Sequence, residues 1–562
     1  MHKRGMHQSK VIYGGVIMKK KAQSLTVGTM ILFVSALAVK IIGALFKIPL
    51  TNRIGGQGMG YYMTAYSVFN PVYAVSVAGF PAAIARVTAI ISSKGDERAK
   101  RRITHNAFLT FAPIGVMLSA MLYLFSHEAA KLVGNADASP AIRAIAPAVM
   151  FCCLTSVLRG TFEGQRNMIP TALEQFFESV VKLAAGLSLV ALTIKTDPLA
   201  SPVELACAAL WGVALSTLVG FLCMAFFCIP QKRIKKESYP RTRFYTDSSI
   251  RKLLLSTAVP ICLAALVTNL TSFIDLVTVM NGLKLAIKKD AAAVYFSHPK
   301  ADLFSIPMGE LPNFLFGSYA ALAMTVFHLV PALIVPLCTS ALPFVSNLKE
   351  NGRNRETRIA VGAVLKAAAA FAVPAGIGIS ALSEPILLFL FPDSIREVAV
   401  AANILRPLGI ASAFSAMACP VSSLLQAVGR SYVPARLMLK AAVIKLVVNI
   451  LLIPFPWVNI NAAAWGTLLC YAFITVRGIS VLLEETASPL NPISIFLKPL
   501  FCGGLCALTA VKVLSFLNNT VSFSLSLCIS IAAGGIMYLI AMVVLRAFAQ
   551  EEADILISKI KK

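Results

Sequence analysis

Apolar runs of membrane-spanning length follow one another along most of the chain, separated by short polar breaks. A helix rises ~1.5 Å per residue, so about 20 apolar residues cross the ~30 Å hydrocarbon core of a bilayer. Read this way, the pattern predicts fourteen spans. They fall at 25–48, 60–92, 104–126, 141–162, 170–194, 203–229 and 253–281, then at 314–348, 359–382, 397–428, 433–453, 461–483, 491–516 and 522–549. The expected fold is all-α and polytopic. Prolines inside several spans (Pro71, Pro81, Pro260, Pro331, Pro336, Pro374) predict kinks of the kind membrane helices tolerate.

Two helix–turn–helix segments echo each other. Leu158–Leu173 reads LRGTFEGQRNMIPTAL and Ser422–Leu437 reads SSLLQAVGRSYVPARL, with Arg166 opposite Arg430 and Pro170 opposite Pro434. Proline suits the first turn of the helix that follows, where its missing N–H is no loss. Gly60–Pro81 and Gly317–Pro343 form a second echo. Together they predict two six-helix lobes in parallel orientation, related by an axis along the membrane normal. The expected organisation is a basic tail over 1–23, a lobe over 24–230, a basic linker over 231–252, a second lobe over 253–485, and two further helices with a basic tail over 486–562. The residues through Ile17 read as a polar extension, because Met18 followed by three lysines resembles a start site.

Composition agrees with a membrane protein: 57% hydrophobic residues, mean hydropathy +0.78 and only 14% charged residues, where a soluble surface needs about 25%. The net charge of +26 concentrates in alternate short loops, among them Lys94–Arg102, Lys232–Arg243, Lys349–Arg358 and Arg430–Arg436. The positive-inside rule makes those loops, and both termini, cytoplasmic. The Asn281–Pro312 loop, with Lys284, Lys288, Lys289 and Lys300, is the exception on the outer side. No nucleic-acid partner is implied. Cysteines such as Cys152, Cys153, Cys207, Cys223, Cys262, Cys470 and Cys502 lie inside apolar runs and read as small hydrophobes. The chain holds neither a phosphate-binding G-x-x-x-x-G-K-[ST] loop nor an H-E-x-x-H pair, so ATP drive, a metal and a cofactor are all unexpected.

Charged residues at span depth are the candidates for function, because each costs roughly 2.5–3.5 kcal/mol to insert and belongs against protein or water. Lys40 lies ~20 Å along the first span, and Lys47 returns to nearly the same face seven residues later. Lys47 either shares that cavity or snorkels to the interface. Glu174, Glu178 and Lys182 form one stripe of span 5, at i, i+4 and i+8. A Glu178–Lys182 pair that only neutralises charge is the plainer reading of that stripe. Lys445 occupies a similar depth in span 11, Arg406 lies in span 10, Asp275 in span 7 and His328 in span 8. Lys366, Arg159 and Arg86 read as interfacial anchors. Lys40, Lys47, Lys182, Lys445 and Arg406 make a cationic set that suits an anionic head group such as a diphosphate or carboxylate. Asp275, Glu174, Glu178 and His328 are candidates for coupling or gating.

The segment 28–102 resembles the bacterial polysaccharide-export flippases of the MOP superfamily, and within them the stage V sporulation protein B group, relatives of the lipid II flippases. The residues that carry the likeness are Val39–Gly43 (VKIIG), Lys47, Asn52–Tyr62 (NRIGGQGMGYY), Phe80–Ala85 (FPAAIA) and Ser93–Asp96 (SKGD). Arginine is usual in that family where this chain has Lys40 and Lys47, so the charge is kept and the bidentate fork is lost. The resemblance implies a flippase for undecaprenyl-diphosphate-linked sugars, working by alternating access. The expected protein is a non-enzymatic transporter of the bacterial cytoplasmic membrane, read as a monomer. Its expected cargo is an anionic lipid-linked sugar or a peptidoglycan precursor, and the repeat predicts Lys182 and Lys445 facing one cavity. Two competing readings are a cation-coupled multidrug exporter, which would favour acidic cavity residues, and a membrane glycosyltransferase. The latter needs an acidic outer loop, for which Asp290, Asp302 and Glu310 are the candidates.

Overall fold

The computed structural model describes residues 10–13, 16–19, 25–93, 97–165, 167–228, 246–486, 493–518 and 520–545. Most of the expected basic tails, Arg166 and the bulk of the 231–252 linker lie outside the described residues. A two-stranded hairpin, β1 (Lys10–Tyr13) with β2 (Val16–Lys19), precedes an otherwise helical chain. The helices of its first half are α1 (Leu25–Ala74), α2 (Phe80–Ser93), α3 (Glu97–Leu124), α4 (Ser126–Val133), α5 (Ser139–Gly164), α6 (Ile169–Thr196) and α7 (Pro202–Cys228). Those of the second are α8 (Asp247–Lys289), α9 (Ala291–Phe296), α10 (Leu311–Gly317), α11 (Met324–Phe327), α12 (Leu329–Glu350) and α13 (Asn354–Ala381). They continue with α14 (Ser383–Leu390), α15 (Ile395–Ala427), α16 (Val433–Leu452), α17 (Asn461–Thr486), α18 (Lys498–Leu517) and α19 (Phe523–Val544).

Eleven stretches among the described residues are long and apolar enough to cross a membrane, so the expected count of fourteen is not reached as written. The first two expected spans run together as one 58-residue stretch, Val34–Ile91. The polar Asn52–Tyr62 segment reads as a loop, yet it stays helical except at Gly55, whose φ of 64° and ψ of −179° suit glycine. Expected spans 253–281 and 433–453 are helical as parts of α8 and α16 but fall outside the eleven. The expected outer loop, 281–312, is mostly ordered as the end of α8, α9 and two 3₁₀ turns. Pro170 and Pro434 open α6 and α16 as expected. Short π segments, Val75–Gly79 and Ser318–Ala323, interrupt the corresponding spans of the two echoes.

The chain divides into two compact units: Met1–Lys47 with Ala65–Ala129 and Ala138–Asn269, and Ile48–Thr64 with Ala130–Asp137 and Leu270–Lys562. Each uses the same neighbour scheme. In the first, α5 packs on α2, α3 and α7 while α6 lies along α7. In the second, α15 packs on α12, α13 and α17 while α16 lies along α17, and α18 with α19 adds against α13. The repeat therefore lives in packing as well as in sequence.

The glycine-rich segment 52–62 belongs to the second unit, and its glycines permit backbone contact there. A Cβ on Gly60 would collide with the carbonyl oxygen of Asn313, and one on Gly317 with that of Gly56. Polar bonds finish the joint: Gly56 N–H donates to Glu397 Oε1 at 2.6 Å, and the Tyr61 hydroxyl to Glu310 Oε1 at 2.7 Å. Asn135 Nδ2 donates to Asn313 Oδ1 at 2.6 Å. Backbone cannot yield as a side chain does, so Gly60→Ala or Gly317→Ala should destabilise the protein by roughly 1–3 kcal/mol. Gly43→Ala, with nothing within 4 Å, should be neutral or mildly stabilising. Thermal unfolding of the three variants in detergent checks this.

Candidate functional site

A cavity of about 320 Å³ opens inside the first unit, and α1, α5, α6 and α7 all contribute to its wall. Three basic side chains line it, Lys40, Arg159 and Lys182, against one acidic side chain, Glu178. Tyr66, Phe69, Tyr73, Gln175, Ser179 and Thr217 complete the polar and aromatic part of the wall. Lys40 is exposed. The Lys182 ammonium sits over Tyr66 at 4.9 Å and Phe46 at 5.4 Å from the ring centroids, and lies 3.4 Å from the Tyr66 hydroxyl. Such faces attract a desolvated cation. Lys47, half-buried, is within electrostatic reach of Lys182.

Arg159 corrects two expectations. It is not an interfacial anchor: it is 5% exposed and holds Glu174, itself fully buried, at 2.7 Å. The internal ion pair of the stripe is thus Arg159–Glu174, made between α5 and α6, and Glu178 and Lys182 turn to the cavity. Glu174 Oε1 and Glu178 Oε2 converge on Gly220 of α7, at 3.2 and 3.4 Å from where a Cβ would stand. Arg159 was missed because it lies five residues before the end of its helix, where basic residues usually reach solvent. A signal existed in its apolar and small neighbours, Val157, Leu158 and Gly160.

In the second unit Lys445 is 3% exposed, and its ammonium binds Asp275 Oδ2 at 2.6 Å. Lys445 and Asp275, expected in separate roles, are one pair. Arg406 is exposed and lines a pocket of about 200 Å³ with His298, Lys300 and Glu384. His328 is exposed at the joint between α11 and α12, edge-on to Phe327. Two of the three acidic residues that a glycosyltransferase reading needs, Asp290 and Glu310, serve the scaffold, and Asp302 is exposed. Asp290 caps α9 through Ala293 N–H, and Glu310 accepts from Tyr61 and Asn313. No group of three or more potential metal ligands occurs among the described residues.

Removing one partner of a buried pair leaves the other charged and unmatched, at about 3–5 kcal/mol. Arg159→Ala should therefore lower stability by that order, and Arg159→Met combined with Glu174→Gln should recover most of it, read by thermal unfolding. A pH effect follows from His298, in the segment after α9. Burial pushes its imidazole below the usual histidine range, and contact with Asn459 Oδ1 at 3.3 Å opposes this only in part. The neutral form is the folded form, so this contribution is complete above pH ~6.5 and is lost as pH falls below it. Lys300 and Arg406 in the same pocket add to the penalty for protonation, and Glu384 reduces it. Unfolding midpoints at pH 7.5 and 5.5 should separate more in the wild type than in His298→Gln.

Comparison with known proteins agrees with this architecture. The family described as polysaccharide biosynthesis protein matches residues 25–349, and the MatE family matches residues 317–451. The chain is 24% identical to membrane protein YabM of Bacillus subtilis (strain 168), over 94% of each chain. It is 25% identical to stage V sporulation protein B of the same organism, over 94% of this chain and 97% of that one. The solved inward closed structure of lipid II flippase MurJ superposes with a TM-score of 0.63 at 14% identity, covering 92% of this chain and 98% of that one. The chain belongs to the polysaccharide biosynthesis protein family, and its described residues include eleven helical stretches fit to cross a membrane.

Proposed function

We propose that the protein is a flippase for an anionic lipid-linked saccharide or peptidoglycan precursor of the undecaprenyl-diphosphate type, acting by alternating access of its two six-helix lobes. The observation that carries this reading is the charge of the first-unit cavity, where Lys40 and Lys182 line the wall against Glu178 while Arg159 is matched by Glu174. Lys40 and Lys182 supply the charge that a diphosphate needs, and Lys47 adds to the field. Lysine gives a compact point charge rather than a fork, so head groups of differing geometry are accommodated. An apolar groove of about 1000 Å³ in the second unit, walled by α12, α13, α18 and α19, suits an isoprenoid chain. Sequence similarity to lipid II flippase MurJ of Bacillus subtilis, 22% identical over 80% of this chain, supports the substrate class. The basic loops support placement in the cytoplasmic membrane with both termini inside. A transporter of this kind works without catalysis or cofactor.

The MatE match favours a second reading, export of cationic compounds. A net positive cavity repels such cargo, which is why the first reading is preferred. Transport of a fluorescent lipid-linked precursor in proteoliposomes tests the choice. Lys40→Ala should abolish flipping at equal expression and insertion, and Lys40→Arg should retain it. Lys182→Glu should impair flipping more than Lys366→Glu. Wild-type rates in Lys40→Ala, or transport of organic cations by the wild type, would overturn the substrate class.

A further inference from the structure

The flippase reading uses the cavity of the first unit and leaves a polar pocket of the second unit without a role. That pocket holds about 200 Å³. Its wall takes His298 and Lys300 from the segment after α9, Glu384 from α14, and Asn403 and Arg406 from α15. A water occupies ~30 Å³, so the space suits roughly six waters, or one phosphate group with part of its hydration, and no saccharide. Lys300 and Glu384 answer each other at 3.4 Å. No carboxylate of the described residues pairs with Arg406, so its guanidinium is the pocket's unmatched charge.

The imidazole of His298, 2% exposed, forms part of the same wall. Its Nε2 lies 3.3 Å from Asn459 Oδ1, which also accepts from the Ile460 N–H at 2.6 Å. The Asn459 amide nitrogen donates to Ser297 Oγ at 2.7 Å and to the Pro456 carbonyl at 2.8 Å. These bonds fix which way the amide is turned, so Nε2 carries the hydrogen of the neutral ring. Nδ1 is left as a buried acceptor with no partner.

An unmatched guanidinium, an amide and an ammonium on one small wall are donors for an oxyanion, and the arginine fork meets two phosphate oxygens at once. We propose that this pocket is a second subsite for the phosphate part of the cargo, with Arg406 as its principal contact and Asn403 and Lys300 beside it. The positive-inside rule assigns the segment after α9 to the outer side, so the subsite receives the head group as it leaves. Its link to the cargo rests on the flippase reading; its affinity for an oxyanion does not. Proton and anion are linked there. The charged groups facing His298 are Lys300 on its own segment, Glu384 on α14 and Arg406 on α15, and the segment before α17 brings the neutral Asn459 amide. Burial, with two cations against one carboxylate, disfavours a proton on Nδ1. A phosphate in the pocket reverses that balance, so its affinity rises as pH falls.

The test reads binding rather than flipping. The probe is symmetric dimethyl diphosphate, a diester that does not titrate near neutrality, so any pH dependence belongs to the protein. Binding to the full chain in detergent is followed by equilibrium dialysis at pH 7.5 and 5.5. The wild type should bind two anions, one in each unit. Arg406→Gln should weaken one of them about 10–100-fold, and Lys182→Gln should leave that one intact. Affinity at the Arg406 site should rise on acidification, by at most about tenfold per pH unit, and the rise should vanish in His298→Gln. Should Arg406→Gln not fold, the wild type serves: the probe should protect Arg406 from phenylglyoxal, read by mass spectrometry. Two intact sites in Arg406→Gln, an unprotected Arg406, or an unchanged pH response in His298→Gln would each overturn the proposal. Methyl farnesyl diphosphate, which adds an isoprenoid arm, should bind this site more tightly than the dimethyl probe. Equal affinities would mark a site for a free oxyanion and overturn its place on the cargo's path. If the protein flips no lipid-linked precursor while Arg406-dependent binding persists, the flippase reading has failed and the oxyanion site stands.

Discussion

A charge carried to the middle of a bilayer must meet either a counter-charge or a polar cavity, because hydrocarbon offers neither. That constraint sorts the ionisable residues of this protein. Lys40 and Lys182 meet a cavity walled by tyrosine, glutamine and serine, and Lys182 also meets two aromatic faces. Arg159 meets Glu174, and Lys445 meets Asp275. The two outcomes differ in what they leave over. A cavity lined by more cations than carboxylates keeps positive potential available for a ligand. A closed pair spends its charge internally.

The two pairs also fix helices. Arg159–Glu174 ties α5 to α6 where α5 is the hub of its unit. Asp275 ties α8 to α16 and to the π segment before α11. Because a buried pair replaced as a whole by apolar groups is often neutral or stabilising, neither pair is needed merely to hold the fold. The two pairs differ in position: one stands on the wall of a cationic cavity, and the other is buried among helices of the second unit. The glycine-rich segment 52–62 shows the opposite economy, with backbone packed on backbone because side chains are absent.

Much of this was legible in the chain. The stripe Glu174–Glu178–Lys182 has helical spacing, so its members share a face whatever the tertiary structure, and Lys40 could not be reconciled with lipid. The repeat was legible because Pro170 and Pro434 mark equivalent helix starts. What stayed hidden depends on partners far away in sequence. Tyr319 and Asn449 are ordinary residues of membrane helices, and only the fold brings them 44 and 174 residues along the chain to Asp275. Arg159 was hidden by its nearness to a turn. The first two spans merged because polar residues in 52–62 suggested a loop, while one glycine alone carries the break.

The repeat also explains why Lys182 and Lys445 differ. Lys182 stands twelve residues after Pro170, and Lys445 stands eleven after Pro434. One residue is about 100° of helix rotation, so equivalent helices present these lysines in different directions. The position equivalent to Lys182 is Leu446, and that equivalent to Glu178 is Ala442. Similar depth is therefore a weak guide to shared function, because depth advances by only ~1.5 Å per residue while direction turns by more than a quarter circle. Rotated by one step, Lys445 points into its own unit, where α8 supplies Asp275, and not to the face that carries the stripe in the first. The two units share a packing scheme and differ in these two lysines: Lys182 faces a cavity in the first, and Lys445 is enclosed with Asp275 in the second.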